Sequence, residues 1–147
     1  MAEQAQAADS GPRPIVPFLK LGSSPHLEGQ KCSSCGAIFL DAKRVACSKC
    51  GTAGSLKPVP LSNKGKVYVF SVVHQSFPGI KTPYVTAIVD LPEGVSVRSN
   101  LVDVNPEDLQ KDPKKGFDMS VELTTSVVAK DREGHEVIAF QYRPSKN

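Results

Sequence analysis

The chain has 147 residues, 39% apolar and 22% charged, with a net charge of +3 and a pI near 8.7. That length holds one ordinary domain, or a small domain joined to a metal-stapled one, and the charge falls far short of the Lys/Arg loading of a dedicated nucleic-acid binder. No run of about 18 apolar residues is available to span a membrane, and the opening MAEQAQAADSGPRPIVP lacks the apolar segment of a secretory signal, so the expectation is a cytoplasmic protein whose thiols stay reduced.

Residues 1–13 are Ala, Gln, Ser, Gly and Pro with acids, too poor in apolar surface to repay ordering, and read as a disordered tail. Residues 14–30 carry an apolar cluster of Ile15, Val16, Phe18 and Leu19, flanked by Leu21 and Leu27. This is a docking arm with room for one helical turn, whose apolar side needs either this chain's own body or another subunit. Residues 31–56 enclose all four cysteines. Residues 57–65 open with Lys57-Pro58-Val59-Pro60 and read as a stiff connector, because each proline fixes φ and removes a donor.

Residues 66–147 are the body. KVYVFSVVHQ (Lys66–Gln75) and YVTAIVDL (Tyr84–Leu91) are rich in β-branched and aromatic residues and predict strands. The turn Pro92-Glu93-Gly94 folds the second into a hairpin with VSVRSNLVDV (Val95–Val104), where Val95 and Val97 alternate with Ser96 and Arg98. Asn105 can cap a helix that begins at Pro106 with Glu107 and Asp108 in its first turn; Pro113 and Gly116 keep it short. Ser120–Ala129 and His135–Arg143 predict two more strands about the Asp131–Gly134 turn. Five antiparallel strands in so short a span resolve their exposed edges best by closing into a small barrel of the OB type.

The sulfur is concentrated in KCSSCGAIFLDAKRVACSKCG, Lys31 to Gly51. Each C-x-x-C places two sulfurs on one tight turn, and Gly36 and Gly51 follow where the chain must curl. Four thiolates from Cys32, Cys35, Cys47 and Cys50 suit one tetrahedral Zn²⁺. They fill its coordination sphere and leave no position for water, so the predicted metal is structural rather than catalytic; iron in the same ligand set is the chemical alternative. The metal replaces an apolar core that so short a segment cannot build. The insert charges Asp41, Lys43, Arg44 and Lys49 read as a solvated face.

The body shows no Ser-His-Asp set, Gly-rich phosphate loop or H-E-x-x-H, and with the cysteines committed to metal no thiol nucleophile remains. His74 ends the first strand, and His26 and His135 read as surface or turn residues. What stands out is the loop from Gln75 to Tyr84, with Phe77, Pro78, Gly79, Ile80, Lys81 and Pro83; Lys66, Arg98 and Asn100 can lie near it. Such a loop either folds over a ligand or packs on the core or a partner subunit.

Taken together, HLEGQKCSSCG, CSKCG, VYVFSVVHQSFPGIKTPYVTAIVDLPEG and SNLVDVNPEDLQ, in that order, closely resemble the DUF35 family over roughly residues 14 to 144. The resemblance implies a rubredoxin-like zinc ribbon fused to a five-stranded OB-fold. It implies an accessory subunit of a thiolase-like acyl-CoA enzyme, most simply in a heterotetramer, with the chemistry on the partner. The four cysteines match the family's metal ligands. His74, Pro83, Tyr84 and Asn100 fall on its motif positions, and with Phe77, Ile80, Lys81 and Arg98 they form the expected contact set for coenzyme A or acyl-CoA. Hydratase and aldolase complexes are the alternative partners. One departure is QKDPKKGFDMSV, where the family commonly runs I-G-x-x-V; its Lys111, Lys114 and Lys115 face either CoA phosphates and acidic partner surface or solvent. A single-stranded nucleic-acid binder is the remaining rival, and it is disfavoured by 6% aromatics, the absence of Trp and the near balance of charge.

Overall fold

The computed structural model describes residues 11–40 and 43–146. The expected tail therefore lies outside the described residues as far as residue 10, as does Asp41 of the predicted charged face.

Five long strands make the body: β6 (Lys64–Val73), β7 (Tyr84–Asp90), β8 (Ser96–Leu101), β9 (Ser120–Lys130) and β10 (Glu136–Pro144). Their order is β6-β7-β8-β10-β9, and β9 pairs back onto β6, which closes the barrel. All neighbours are antiparallel except β10 with β8, which meet in parallel at Tyr142 and Leu101. The alternation read in β8 holds: Val97, Ser99 and Leu101 point inward and Ser96, Arg98 and Asn100 outward. Val67, Val85, Val89, Val97, Leu101, Val121 and Tyr142 fill the interior.

Gly65 is fixed by the tightness of the closure. A Cβ there would sit 2.7 Å from the Asp90 carbonyl oxygen and 2.7 Å from Val89 Cγ1. A bulge between Val67 and Val69 turns Tyr68 out to solvent, 63% exposed. The helix α1 (Pro106–Lys111) caps one end, with Leu109 in the core. Asn105 accepts from the Glu107 and Asp108 N–H groups, as the Asn-Pro start predicts. A 3-10 turn (Pro113–Lys115) follows, and Gly116 lies against the Phe70 ring.

The N-terminal part makes two short strands, β1 (Arg13–Pro14) and β2 (Leu19–Lys20), then β3 (His26–Cys32), β4 (Ile38–Phe39) and β5 (Leu56–Pro60). Residues 14–30 form a turn and strands rather than a helical turn, and they dock on this chain's own barrel. β1 pairs in parallel with β10, Phe18 meets Phe140 edge-on at 5.9 Å, and Leu19 and Leu27 belong to the barrel's core cluster. Arg13 bridges Asp131 at 3.2 Å and Glu133 at 3.0 Å in the β9–β10 turn, where His135 also holds Asp131.

β3 runs unbroken across the border expected at Lys31. His26 and Leu27 pair with β2, Gln30 and Lys31 with β4, and Glu28 to Cys32 with β5. Residues 57–60 of the stretch expected as a connector thus belong to an edge strand, and 64–65 already begin β6. The prolines permit it because Pro58 and Pro60 are two residues apart and both miss the ladder on the side away from β3. The donors that matter are on the other parity, as when Leu61 N–H reaches the Leu27 carbonyl at 2.8 Å.

Candidate metal centre and barrel face

The two cysteine turns are built alike. Gly36 N–H donates to the Cys32 carbonyl at 2.9 Å and Gly51 N–H to the Cys47 carbonyl at 2.8 Å. Cys32 N–H donates to Ala37, and Cys47 N–H to Thr52. Gly36 and Gly51 have φ of 77° and 76°, the left-handed region where glycine escapes the Cβ penalty. The first turn leaves β3 and the second sits beside an isolated bridge between Ala46 and Ala53, so sheet geometry aims both at one point.

Cys32 and Cys50 sulfurs lie 3.7 Å apart, Cys35 and Cys47 3.6 Å, and all four within 4.8 Å of one another. A tetrahedral zinc with bonds of about 2.3 Å separates its sulfurs by about 3.8 Å, so the four cysteines fit one structural Zn²⁺. Cys32 and Cys47 are buried, while Cys35 and Cys50 reach the surface. The site favours thiolates unevenly. The Ser55 hydroxyl, helped by backbone N–H groups, brings the Cys32 thiol down to about 6. The Thr52 hydroxyl also lowers Cys50. At Cys35 an Ala37 N–H pulls down, but burial and the neighbouring sulfurs outweigh it and push the thiol up to about 11. Of the insert charges, Arg44 stacks over the Phe39 ring at 4.5 Å and also donates to Ser48.

The structure separates the candidate barrel residues into three groups. Tyr84, Arg98 and Asn100 share the outer face of the β6–β7–β8 sheet, opposite Val73, Ile88 and Thr86 respectively. Arg98 lines a shallow cleft of about 300 Å³ with Val69, Ser71, Thr86 and Ile88. His74 lies one residue past β6, and its Nε2 is 3.2 Å from Gln110 Oε1 on α1. It shares a second, wider cleft with Pro83, Glu107, Gln110 and Lys111. Phe77 and Ile80 form the tip of the β6–β7 loop, 80% and 51% exposed; the tip therefore does not pack on this chain's own core, which leaves a ligand or a partner subunit as its cover. Lys81 is exposed on the same loop.

Two sets of residues escaped the sequence. Glu107 and Gln110 form one wall of the His74 cleft together with Lys111, which the sequence had already offered as a phosphate contact. They fall on one helical face by their three- and four-residue spacing, which the Asn-Pro cap had already made available. Ser55 and Thr52 give hydroxyls to the sulfurs, and no spacing rule marks a serine as a sulfur partner.

The comparisons agree with this architecture. Residues 20–54 match the rubredoxin-like zinc ribbon domain of ChsH2, and residues 58–126 its C-terminal OB-fold domain. A "DUF35 domain-containing scaffold protein" of Methanocaldococcus jannaschii is 32% identical over 82% of this chain and 83% of its own. The "Benzoylsuccinyl-CoA thiolase subunit BbsA" of Geobacter metallireducens is 34% identical over 88% and 82%. A solved chain titled "Ltp2-ChsH2(DUF35) aldolase" superposes with a TM-score of 0.59 and 29% identity, over 81% of this chain and 84% of that one. With four sulfurs converging at the end of β3 and a closed five-stranded barrel behind them, the chain belongs to the DUF35 family of zinc-ribbon and OB-fold proteins.

Proposed function

We propose that this chain is a non-catalytic, cytoplasmic subunit of a thiolase-type acyl-CoA complex. It binds or orients the CoA arm while the partner subunit makes or breaks the carbon–carbon bond. The observation that carries the reading is the match to a thiolase subunit along nearly the whole of both chains. The geometry supports it. Phe77 and Ile80 expose apolar surface at the loop tip, where a pantetheine chain or a partner wall would cover it. Lys81, Arg98 and Lys111 supply cations around the two clefts for phosphates, and His74, Pro83, Tyr84 and Asn100 supply the remaining contacts. Since the arm and β3 tie the ribbon to the barrel, ribbon and barrel present one rigid docking surface, most simply in a heterotetramer. An aldolase partner is the second reading, favoured by the solved aldolase chain.

The test is a tagged purification from the native host, with the bound protein identified by mass, followed by thiolysis and retro-aldol assays on the chain, the partner and the complex. The reading expects a thiolase-like partner and turnover by the complex that the chain lacks. Retro-aldol activity selects the second reading. Turnover by the isolated chain, or a hydratase as partner, overturns the thiolase assignment.

A further inference from the structure

The four thiolates of the ribbon have unequal surroundings. Ser55 Oγ lies 3.2 Å from Cys32 Sγ, and Thr52 Oγ1 lies 3.3 Å from Cys50 Sγ, where a protonated Cys50 thiol donates to the Thr52 hydroxyl. The described residues give Cys35 and Cys47 no such hydroxyl; their sulfurs meet each other at 3.6 Å. A zinc-bound thiolate carries no proton, so toward sulfur both hydroxyls can only donate.

The proton count allows this. Ser55 Oγ also lies 3.0 Å from the Thr52 carbonyl, and a hydroxyl has one hydrogen to give. That carbonyl already accepts the Cys47 N–H at 3.0 Å, so turning the Ser55 hydrogen to Cys32 leaves no acceptor unsatisfied. Ser55 is 6% exposed, and water does not compete for it. A hydrogen bond to a thiolate withdraws charge from sulfur and lowers its nucleophilicity, as outer-shell partners of metal ligands generally tune them.

Exposure cuts across this division. Of the two sulfurs without a hydroxyl, Cys47 is buried; of the two that reach the surface, Cys50 has Thr52. Both surface sulfurs accept one backbone N–H, Cys35 from Ala37 and Cys50 from Thr52, but Cys35 alone of the four is both at the surface and without a hydroxyl donor. We propose that Ser55 and Thr52 are positioning residues that damp Cys32 and Cys50, and that Cys35 is therefore the sulfur at which electrophiles first attack the zinc ribbon.

The experiment treats the zinc-loaded full chain with limiting iodoacetamide. The attacking sulfur forms a C–S bond as the C–I bond breaks and iodide leaves, and the resulting thioether no longer carries the charge that held zinc. Peptide mass mapping gives the order of attack, and a chromogenic chelator follows zinc release. Cys35 is expected first. Thr52→Val should raise the rate at Cys50 by about threefold for each unit of sulfur basicity regained, and Thr52→Ser, which keeps the hydroxyl, should restore it. In the cobalt-substituted chain, Ser55→Ala should move the sulfur-to-metal charge-transfer band to lower energy, a shift that a merely packing serine would not produce. Attack beginning at another cysteine, an unchanged Cys50 rate in Thr52→Val, or an unmoved band in Ser55→Ala overturns the proposal.

Discussion

The ribbon and the barrel solve the same problem with different materials. The barrel closes five strands on an interior made mainly of valines and leucines, with Tyr142 and the inward Ser99 adding polar groups to a largely apolar burial. Among the described residues of the ribbon between Ser33 and Ser55, none belongs to that buried cluster, although Ile38 and Leu40 pack against it; the buried groups there are Cys47 and the small Ser55, with Cys32 at the entrance. Its second half would have no reason to fold without the metal. The two regions are nonetheless joined by one strand, since β3 begins at His26 beside the core and ends at Cys32 on the metal. A metal-held module gains from this a direction as well as a fold, because its first ligand is the last residue of a strand already fixed by Leu27.

The largest effect should come from removing the zinc. Apparent binding energies of structural zinc reach roughly 10–16 kcal/mol, more than so short a segment can replace. Chelation or Cys47→Ser should abolish amide-exchange protection from Lys31 to Leu56 while leaving it from His26 to Gly29 and throughout β6 to β10. Loss of the barrel as well would show that the two regions fold as one unit and would break the comparison. The reverse perturbation is Leu101→Ala. Leu101 is buried between β7 and β10, and the truncation should cost about 2–5 kcal/mol. Calorimetry should show a lowered barrel transition with zinc still bound one per chain, as four thiolates at one site imply.

How much of this was legible depends on whether the cause is local. The alternation in β8, the Asn-Pro cap and the paired C-x-x-C-G turns are properties of a few consecutive residues, and each stands where the sequence puts it. β5 was hidden because two prolines read as a connector unless it is known that the strand has a partner on one side only. The docking of residues 14–30 was open because Phe18 and Leu19 announce an apolar side without naming Phe140 and the barrel core as its cover. Arg13 with Asp131 and Glu133, 118 residues away in the first pair, and Gln110 against His74 are long-range meetings that no period encodes. The same holds for Ser55 against Cys32.

A smaller effect sharpens the comparison at the barrel's helix. Asn105→Ala removes the side chain that accepts from Glu107 and Asp108 and should cost about 1 kcal/mol. Since Gln110 and Lys111 stand on the same helix, fraying should also loosen the His74 contact, visible as a shift in the His74 ring resonances. The cobalt spectrum of the ribbon should not change. A change there would mean that the two regions are coupled through more than β3.

The smallest effect concerns pH, and it lies at the seam between the two regions. Glu93, in the β7–β8 turn, accepts from Ser62 N–H at 2.8 Å and from Ser62 Oγ–H at 2.6 Å, and Ser62 follows Leu61 on the extension of β5. Burial pulls the Glu93 carboxyl up, but the Ser62 bonds outweigh it and hold the group below the usual carboxylate range. A carboxyl that is more acidic folded than unfolded stabilises the fold above its unfolded value. That contribution is fully present at neutral pH, begins to fade as pH falls through the unfolded value of 4.5, and is gone below the folded one. Ser62→Ala should therefore lower stability at pH 7 and flatten the acid limb of the stability curve. At a pH low enough to protonate Glu93 in both states, the part of the difference that comes from this charge should vanish. If the mutant differs from the parent by the same amount at both pH values, the seam is held by packing of Leu61 rather than by the Glu93 charge.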